Sequence, residues 1–496
     1  MRANDAICIS EQSTRLDLTY VNSPSALRAD TCASLTTCNT PVFPAEVLKR
    51  FDLNGPRYTS YPTADRFTTA FRPEAFAQVL QRMPRRPASL YLHVPFCRSL
   101  CHYCACSKII SKSTTVADDY LITLALETSL IFDTVPILLK LPIVQLAFGG
   151  GTPNFLTIEQ LQRLMADLSG KFDLLANREQ TIELDPRYLD AAYVNALPAM
   201  GFNRVSYGVQ DFDDRVQALI HRSQTFEQTA QAVLAARDAG ITSISFDLVY
   251  GLPIQSRETF AATLERALSL EPDRLALFNY AHIPERFKAQ RRIPTHTLPT
   301  IELRTELFLY AAERLADAGY VAIGLDHFAK PGDSLAQALT DGTLRRNFQG
   351  YSTHQSTDLI GLGVSAISNL NGVFSQNSPQ LDVYRERIEG GQFATVRGAA
   401  LTHDDQVRSA VIEQIMCVGR VEWAAIAEAF AIDCKTYFAA ERDALAQFVA
   451  EGIITLDEKA LVVTAQGRLL LRAVAMVFDA YVKLKREQTI AFSRIA

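Results

Sequence analysis

The most informative segment of the sequence spans residues 91–106. It reads Tyr91-Leu-His-Val-Pro-Phe-Cys97-Arg-Ser-Leu-Cys101-His-Tyr-Cys104-Ala-Cys106, so an apolar run that predicts a strand leads directly into a loop with four cysteines. Three of these thiols follow the spacing Cys-x3-Cys-x2-Cys, which lets a short loop bind one iron–sulfur cubane through soft thiolate ligands. Three ligands leave one iron open, as a catalytic metal requires. Structural zinc, with Cys106 as a fourth ligand, is the alternative.

Short apolar runs alternate with longer helical patterns on both sides of this loop. Two helical patterns, at 226–239 and 301–318, stop at a glycine, the residue that suits the left-handed position after a helix. Nearly continuous apolar strands between helices are typical of a parallel sheet covered on both faces. The sequence therefore predicts an α/β fold with a partial or closed β/α barrel, an open doubly wound sheet being the alternative. The predicted strands are 90–96, 144–149, 181–185, 204–209, 242–250, 274–280 and 320–325.

The sequence predicts four regions along the chain. Residues 1–45 are rich in Ser, Thr, Ala and Asn and predict a poorly ordered extension. The barrel and its lead-in occupy residues 46–375, and a linker is predicted at 376–400. The helical patterns of residues 401–496, with one short β-like piece at 461–464, predict a separate C-terminal helical domain.

Composition and charge restrict the classes of function. The chain has 49 basic and 54 acidic residues, a net charge of −5, which argues against binding to nucleic acid or to anionic membranes. No apolar run is long enough to span a bilayer, and the first thirty residues lack the apolar core of a secretion signal. Nine cysteines, an odd number, indicate thiol or metal chemistry rather than disulfides in a chain of this length. We expect a monomeric, cytoplasmic protein.

The cysteine spacing resembles that of radical S-adenosylmethionine (SAM) enzymes. Within that superfamily, residues 46–496 most resemble the oxygen-independent coproporphyrinogen III dehydrogenases of haem biosynthesis. The stretches that carry the resemblance are RYTSYPT at 57–63, the segment 91–106, FGGGTP at 148–153, ELDPR at 183–187, GVQDF at 208–212, FDLVYGLP at 246–253, FNYAH at 278–282, DHF at 326–328 and GLGVSAI at 361–367.

The resemblance implies a [4Fe–4S] cluster bound by Cys97, Cys101 and Cys104, with SAM bound to the open iron. It implies that Glu183 accepts hydrogen bonds from the ribose of SAM. It also implies that Gln210, Arg222 and Asp247 bind a second SAM molecule. Taken together, the residues that it assigns to SAM are Tyr91, Tyr103, Gly150, Gly151, Thr152, Glu183, Gln210, Arg222, Asp247, Ala281 and Ile367.

Simpler interpretations of these residues stay open at this point. Three successive glycines at 149–151 also fit a plain tight turn, and Glu183 also fits a salt bridge at the rim of the barrel. Arg222 read alone predicts an exposed surface charge. His282 and His327, which belong to family-like stretches at strand ends, are better candidates for the site than the other histidines.

Two residues have roles that the resemblance suggests without fixing them. Cys106 matches an active-site cysteine of the family that does not bind the cluster; hydrogen donation, proton relay and substrate contact are all open for it. Arg57, in the stretch 57–63, is the leading candidate to bind a substrate carboxylate. Two positions depart from the family pattern, with Ala105 where Gly is usual and Ser107 where Asn is common.

The implied reaction is the oxidative decarboxylation of two propionates of coproporphyrinogen III, which gives the vinyl groups of protoporphyrinogen IX. A 5′-deoxyadenosyl radical derived from SAM removes a β-hydrogen, after which the substrate loses CO2 and one electron. The reaction needs an external reductant, such as flavodoxin or ferredoxin, and an electron acceptor. The alternatives are a haem-binding chaperone and a haem-directed radical SAM methyltransferase.

Overall fold

The computed structural model describes residues 55–354 and 358–485, together with residues 47, 50 and 51. The predicted extension at 1–45 lies outside the described residues. A twelve-stranded sheet forms the centre of the molecule. Its strands are β1 (Ala88–Val94), β2 (Pro142–Gly150), β3 (Asp173–Leu184), β4 (Arg204–Gln210), β5 (Ser243–Tyr250), β6 (Arg274–Asn279), β7 (Val321–Gly324), β8 (His327–Ala329), β9 (Asp358–Leu362), β10 (Ile367–Leu370), β11 (Val373–Asn377) and β12 (Thr395–Ala400).

The strand order is β12-β11-β10-β9-β1-β2-β3-β4-β5-β6-β8-β7. The run from β9 through β1 to β6 is parallel, whereas the strands on either side of it pair antiparallel. Among the described residues the two ends of this order do not pair with each other. The sheet is therefore a partial barrel, one of the two forms that the sequence predicts.

Helices connect the parallel strands and build most of the remaining structure. They are α1 (Pro73–Gln81), α2 (Val116–Thr134), α3 (Ile158–Lys171), α4 (Ala191–Ala196), α5 (Asp214–Leu219), α6 (Phe226–Asp238), α7 (Arg257–Ser269), α8 (Ile301–Asp317), α9 (Ser334–Thr340), α10 (Leu381–Glu389), α11 (His403–Cys417), α12 (Trp423–Phe430), α13 (Cys434–Tyr437), α14 (Ala439–Ala450), α15 (Leu471–Val477) and α16 (Ala480–Lys485). No helix among the described residues has the length and apolarity needed to cross a membrane.

Most of the predicted strands are present, with two differences. The run at 320–325 forms β7, but as an antiparallel edge strand rather than another parallel one. On the side of β1 away from β2, the parallel neighbour is β9, which the strand pattern missed; Leu90 of β1 lies opposite Ile360. Two of the five residues of β9 are an Asp and a Gly, which are depleted in strands and weaken the strand signal, and the pairing partner of β9 is remote in sequence. The two predicted helix ends are confirmed, since Gly240 and Gly319 have φ of +82° and +84°.

The prediction of a linker at 376–400 is wrong. Strand β11 extends to Asn377, α10 follows, and β12 returns to pair antiparallel with β11, so that Phe374 lies opposite Ala399. The polar stretch around Ser375 resembles a loop in sequence. Its polar side chains are buried instead, since Ser375 and Asn377 are only 4 % and 7 % exposed, and buried polar groups need hydrogen-bond partners that a sequence pattern does not reveal.

The C-terminal part is mainly helical, with a second, smaller sheet. Its three antiparallel strands are β13 (Arg420–Glu422), β14 (Ile454–Leu456) and β15 (Ala460–Val463), in the order β13-β15-β14. Only the last of these corresponds to the β-like piece predicted at 461–464. A hydrophobic cluster around Trp423, Phe438 and Phe478 forms the core of this part. That it is a separate domain stays a prediction.

The lead-in to the barrel packs against this C-terminal core. The guanidinium of Arg472, only 4 % exposed, donates hydrogen bonds to the carbonyl oxygens of Gly55 and Pro56. The Tyr58 hydroxyl donates a hydrogen bond to the Asp479 carboxylate at 2.9 Å. These contacts fix the backbone on both sides of Arg57.

A buried carboxylate joins α2 to the antiparallel end of the large sheet. Glu127 is 3 % exposed and accepts hydrogen bonds from the Gly363 backbone at 2.7 Å, from Asn377 at 2.6 Å and from Tyr384 at 2.7 Å. Burial raises the pKa of Glu127 from its ordinary value of 4.5 to about 7, in spite of these three donors. The carboxyl group therefore binds a proton more tightly in the folded chain than in the unfolded chain.

We expect this group to make the stability of the protein depend on pH. The stability that it contributes is present below pH 4.5 and is lost as the pH rises through about 7, because the unfolded chain ionises first. Between about pH 5 and pH 8 the free energy of unfolding of the wild type should fall by about 2–3 kcal/mol relative to Glu127→Gln. Urea titrations at both pH values measure this difference, with Glu386→Gln on the exposed side of α10 as the control. Parallel pH curves for the wild type and Glu127→Gln would contradict the expectation.

Candidate functional site

A cavity of about 570 Å³ lies at the carboxyl ends of the parallel strands. Because side chains that follow parallel strands meet at one edge of the sheet, residues far apart in sequence converge there. The residues predicted for the site that line this cavity are Arg57, Cys97, Cys101, Tyr103, Cys104, Cys106, Gly150, Gly151, Thr152, Glu183, Gln210, Arg222, Asp247 and Ala281.

The cysteine loop follows β1, as the sequence predicts, and neighbouring segments hold it in place. The backbone of His102 donates to the Ile220 carbonyl at 2.9 Å, and Nδ1 of His221 lies 2.8 Å from the Leu100 carbonyl. Within the described part of the chain, no three side chains of His, Cys, Asp or Glu come close enough to hold one metal ion. A cubane does not need three ligands around one ion, because each thiolate binds a different iron.

Cys104 and Cys106 interact directly, and the interaction makes them unequal. The Cys106 thiol donates a hydrogen bond to the Cys104 sulfur, which is the main reason that the pKa of Cys104 falls to about 6. The same hydrogen bond raises the pKa of Cys106 well above its ordinary value. Lys108 adds positive charge, since its Nζ donates to the Cys104 carbonyl at 3.0 Å. Because the thiolate is the form that binds metals, Cys104 is the better ligand of the two.

The glycine turn at the end of β2 touches the backbone that precedes the cysteine loop. A Cβ on Gly151 would lie 2.6 Å from the carbonyl carbon and oxygen of Pro95, and one on Gly150, whose φ is +110°, would lie 2.6 Å from the His93 ring. The Gly150 N–H lies 3.4 Å from Oε2 of Glu183. This is more than a tight turn, since the glycines let two site segments come into contact at the cavity.

Two carboxyl groups face the cavity from β3 and β5, the strands on either side of β4. Glu183 lies at the end of β3 and Asp247 in β5. Desolvation by the surrounding walls raises the pKa of Glu183. Burial and then the nearby charge of Glu183 raise the pKa of Asp247 to about 7. Glu183 accepts from the glycine turn, so a salt bridge at the rim does not describe its surroundings.

Arg222 is buried rather than exposed, being only 6 % exposed. Its guanidinium lies 3.2 Å from Asp185 Oδ2 and 3.6 Å from Cys101 Sγ. Arg187 also contacts both groups, at 2.6 Å and 3.7 Å. Burial by itself would raise the pKa of Asp185, but the two guanidinium groups lower it below its usual value. The interpretation of Arg222 as a surface charge is therefore wrong.

Two residues assigned to SAM do not line the cavity. Tyr91 lies in β1 with its hydroxyl 3.2 Å from Nδ1 of His93, and Ile367 begins β10. The two histidines favoured by the sequence also lie outside the lining. His282 contacts the Tyr280 hydroxyl at 2.8 Å, and His327 Nδ1 lies 2.9 Å from Asp326 Oδ1.

Arg57 reaches the cavity from the lead-in. Its guanidinium pairs with Asp326 and lies over the Phe278 ring, 5.3 Å from the ring centroid. The Arg57 charge lowers the pKa of Asp326 far below its usual range, against the effect of burial. The Asp326 carboxylate thus holds a cationic side chain at the cavity wall.

Sequence reasoning left several lining residues without a role. Asp185 and Arg187 stand in the quoted stretch 183–187, so their charges could have signalled a buried ion pair. Gln290 carried no signal, yet it is 1 % exposed and its Nε2 donates to the carbonyls of Tyr103 at 3.1 Å and Ala281 at 3.0 Å. Gln210, which the resemblance does assign to SAM, has φ of +70° and lies buried at the end of β4.

Two family models match this chain. The radical SAM superfamily model matches residues 91–267, which contain the cysteine loop, the glycine turn and both carboxylates. The HemN C-terminal domain model matches residues 401–470.

Relatives with known names match over nearly their whole length. The oxygen-independent coproporphyrinogen III oxidase of Pseudomonas aeruginosa is 45 % identical over 91 % of this chain and 98 % of its own. The enzyme of that name from Escherichia coli is 43 % identical over 90 % and 97 %. The solved structure of coproporphyrinogen III oxidase (HemN) from Escherichia coli, described as a radical SAM enzyme, superposes with a TM-score of 0.85 at 42 % identity and covers 89 % of this chain. The chain therefore belongs to the oxygen-independent coproporphyrinogen III oxidase family of radical SAM enzymes.

Proposed function

We propose that this protein converts coproporphyrinogen III to protoporphyrinogen IX without oxygen, by oxidative decarboxylation of two propionates. The observation that carries the proposal is the convergence of three thiols, a glycine turn and two carboxyl groups on one cavity. The choice of coproporphyrinogen III as the substrate rests on the relatives that match over nearly their full length and are named coproporphyrinogen III oxidases. A tetracarboxylate substrate also suits a cavity lined by Arg57 and Lys108.

The radical SAM family uses a [4Fe–4S] cluster and SAM, and the residues at the cavity fit both. Cys97, Cys101 and Cys104 would hold the cluster. The guanidinium groups of Arg187 and Arg222 beside Cys101 would offset the negative charge of the thiolates. When bound, the cluster and SAM together supply the hydrogen-abstracting 5′-deoxyadenosyl radical.

The carboxyl groups and the glycine turn support the proposed SAM site. Glu183 would accept hydrogen bonds from ribose hydroxyls at the end of β3, next to the Gly150 N–H. Gln210, Arg222 and Asp247 would bind the second SAM molecule. For Tyr91 and Ile367, which lie off the cavity, we propose a supporting role behind the SAM site.

Arg57 would bind a substrate carboxylate. The contacts of its guanidinium with Asp326 and Phe278 fix the direction of the side chain. A fixed guanidinium loses little side-chain freedom on binding, so it can hold the reacting propionate in one position. Cys106 lines the same cavity and its thiol keeps its proton, which suits hydrogen donation or substrate contact better than proton abstraction.

An anaerobic assay tests the proposed reaction. The protein with a reconstituted cluster is mixed with SAM, a reductant, coproporphyrinogen III and an electron acceptor, and both 5′-deoxyadenosine and the porphyrin are followed by mass spectrometry. We expect the loss of two CO2 per porphyrin, and no loss when SAM is omitted. Cleavage of SAM with an unchanged porphyrin would reject the substrate. Methylated porphyrin, or bound haem without CO2 release, would indicate the methyltransferase or the chaperone.

The remaining partners are proposed on chemical grounds. One-electron reduction of the cluster needs an external donor such as flavodoxin or ferredoxin, and the decarboxylated substrate needs an electron acceptor. We also propose that the protein is a monomer that acts in the cytoplasm, because that compartment keeps cysteine thiols reduced.

A further inference from the structure

A short basic segment lies beside the cysteine loop. The segment, which we call the basic turn, spans residues 286–292 between β6 and α8 and includes a 3₁₀ turn at Lys288–Arg292. Its four cations, Arg286, Lys288, Arg291 and Arg292, are all exposed. Within the described part of the chain, none of them forms an ion pair with a carboxylate. The basic turn is thus a cluster of four exposed cations, with Glu285 as the acidic residue next to it in sequence.

Gln290 connects the basic turn to the cysteine loop. Its side chain is the buried member of the segment, and its Nε2 donates to the Tyr103 carbonyl at 3.1 Å. Tyr103 directly precedes the ligand candidate Cys104. The Oε1 of Gln290 accepts a hydrogen bond from the Ile283 backbone N–H at 2.6 Å, which fixes the orientation of the Gln290 amide. One hydrogen bond therefore separates the backbone of the basic turn from the backbone beside a cluster thiol.

The cations of the basic turn lie outside the lining of the cavity. Gln290 lines the cavity, whereas Arg286, Lys288, Arg291 and Arg292 do not. A substrate inside the cavity would not touch them. Their exposure and charge suit a partner that approaches from outside.

The charge of the whole chain adds to this argument. The net charge is −5, so an acidic protein is repelled by the molecule as a whole and needs a local positive surface to bind. The proposed function requires a donor of single electrons from outside, and the basic turn is adjacent to the group that must receive them.

We propose that the basic turn is the docking surface for an acidic one-electron carrier protein. This inference rests on the proposed radical SAM function. In the transfer, the carrier is oxidised by one electron and the cluster is reduced by one electron, and no atom moves between the two proteins. Arg291 and Arg292 supply the charge that binds the carrier, and the Gln290–Tyr103 hydrogen bond holds the docked surface against the cysteine loop.

Charge reversal tests the docking surface. The test variant is Arg291→Glu with Arg292→Glu. The control is Arg82→Glu with Arg85→Glu, an equal change in charge at two exposed positions that precede β1, at the opposite edge of the sheet. Calorimetric titration with an acidic flavodoxin gives the dissociation constant at about 20 mM and about 500 mM ionic strength. We expect at least about tenfold weaker binding for the test variant at low salt, with little salt dependence left, and an unchanged constant for the control.

A second measurement separates docking from catalysis. SAM cleavage to 5′-deoxyadenosine is followed without porphyrin, driven either by flavodoxin or by dithionite, a small reductant that needs no docking surface. The rate of SAM cleavage by the test variant should fall at least about tenfold with flavodoxin and stay unchanged with dithionite. Unchanged flavodoxin binding would overturn the proposal. So would an equal loss with both reductants, which would assign the turn to SAM or the cluster. Neither flavodoxin binding nor SAM cleavage depends on the porphyrin. An error in the proposed porphyrin substrate would therefore not be mistaken for failure of the docking proposal.

Discussion

Replacement of Cys97, Cys101 or Cys104 by serine should remove most of the iron from the reconstituted protein and lower turnover by more than the roughly 100-fold that loss of an outer-shell partner of a metal can cost. A serine hydroxyl is a harder ligand than a thiolate and does not ionise near neutral pH, so a cubane held by only three protein ligands loses one corner. Iron and sulfide content, together with the charge-transfer absorption of the cluster, measure the loss.

Cys106→Ser is the matched control, because Cys106 lies in the same loop and lines the same cavity. Its thiol donates to Cys104 and stays protonated, so the variant should keep its iron. A serine hydroxyl can still donate to the Cys104 sulfur, which preserves the low pKa of Cys104. Loss of iron in Cys106→Ser, with iron retained in Cys104→Ser, would exchange the roles of these two cysteines.

Gly151→Ala should weaken SAM binding by roughly 5- to 150-fold, since overpacking at a fixed contact costs about 1–3 kcal/mol. The added Cβ would lie 2.6 Å from the Pro95 carbonyl and 2.9 Å from the Phe96 carbonyl oxygen. These are backbone atoms that lead directly into Cys97, so they cannot move aside without moving the cysteine loop. Equilibrium binding of SAM to the cluster-loaded protein measures the effect.

Gly170→Ala controls for the general effect of a glycine substitution. Gly170 lies in α3, and among the described residues no atom outside its chain neighbours and its own helix backbone lies within 4 Å of an added Cβ. This variant should bind SAM like the wild type and gain up to about 1 kcal/mol in stability, because alanine is the better helix former. Equal SAM binding by Gly151→Ala and the wild type would show that the glycine turn does not shape the site.

The local part of the fold could be predicted from sequence, because each parallel strand and the helix after it carry their own signal. The cysteine loop was predictable for the same reason, since its ligand spacing is local. The buried position of Arg222 was not, because its partner Asp185 is 37 residues away and only the folded sheet brings the two together.

Long-range pairing explains the other errors. Strand β9 is recognisable only from its place beside β1, and the polar strand β11 is stabilised by contacts such as that of Asn377 with Glu127, 250 residues away. Gln290 looks like any surface glutamine until the fold brings it to the Tyr103 carbonyl. Contacts of this kind are properties of the assembled sheet rather than of any segment.

The packing of the lead-in against the C-terminal helices determines when the site can be completed during synthesis. Arg472, which holds the backbone beside Arg57, is made 416 residues after Pro56, its hydrogen-bond partner. The cysteine loop, the glycine turn and the basic turn find their partners within residues 91–292. A nascent chain can therefore assemble the cluster-binding half of the site early. Arg57, proposed to bind a substrate carboxylate, gains this support only after residue 472 has been made, so we expect the chain to become competent for the cluster before it becomes competent for the substrate.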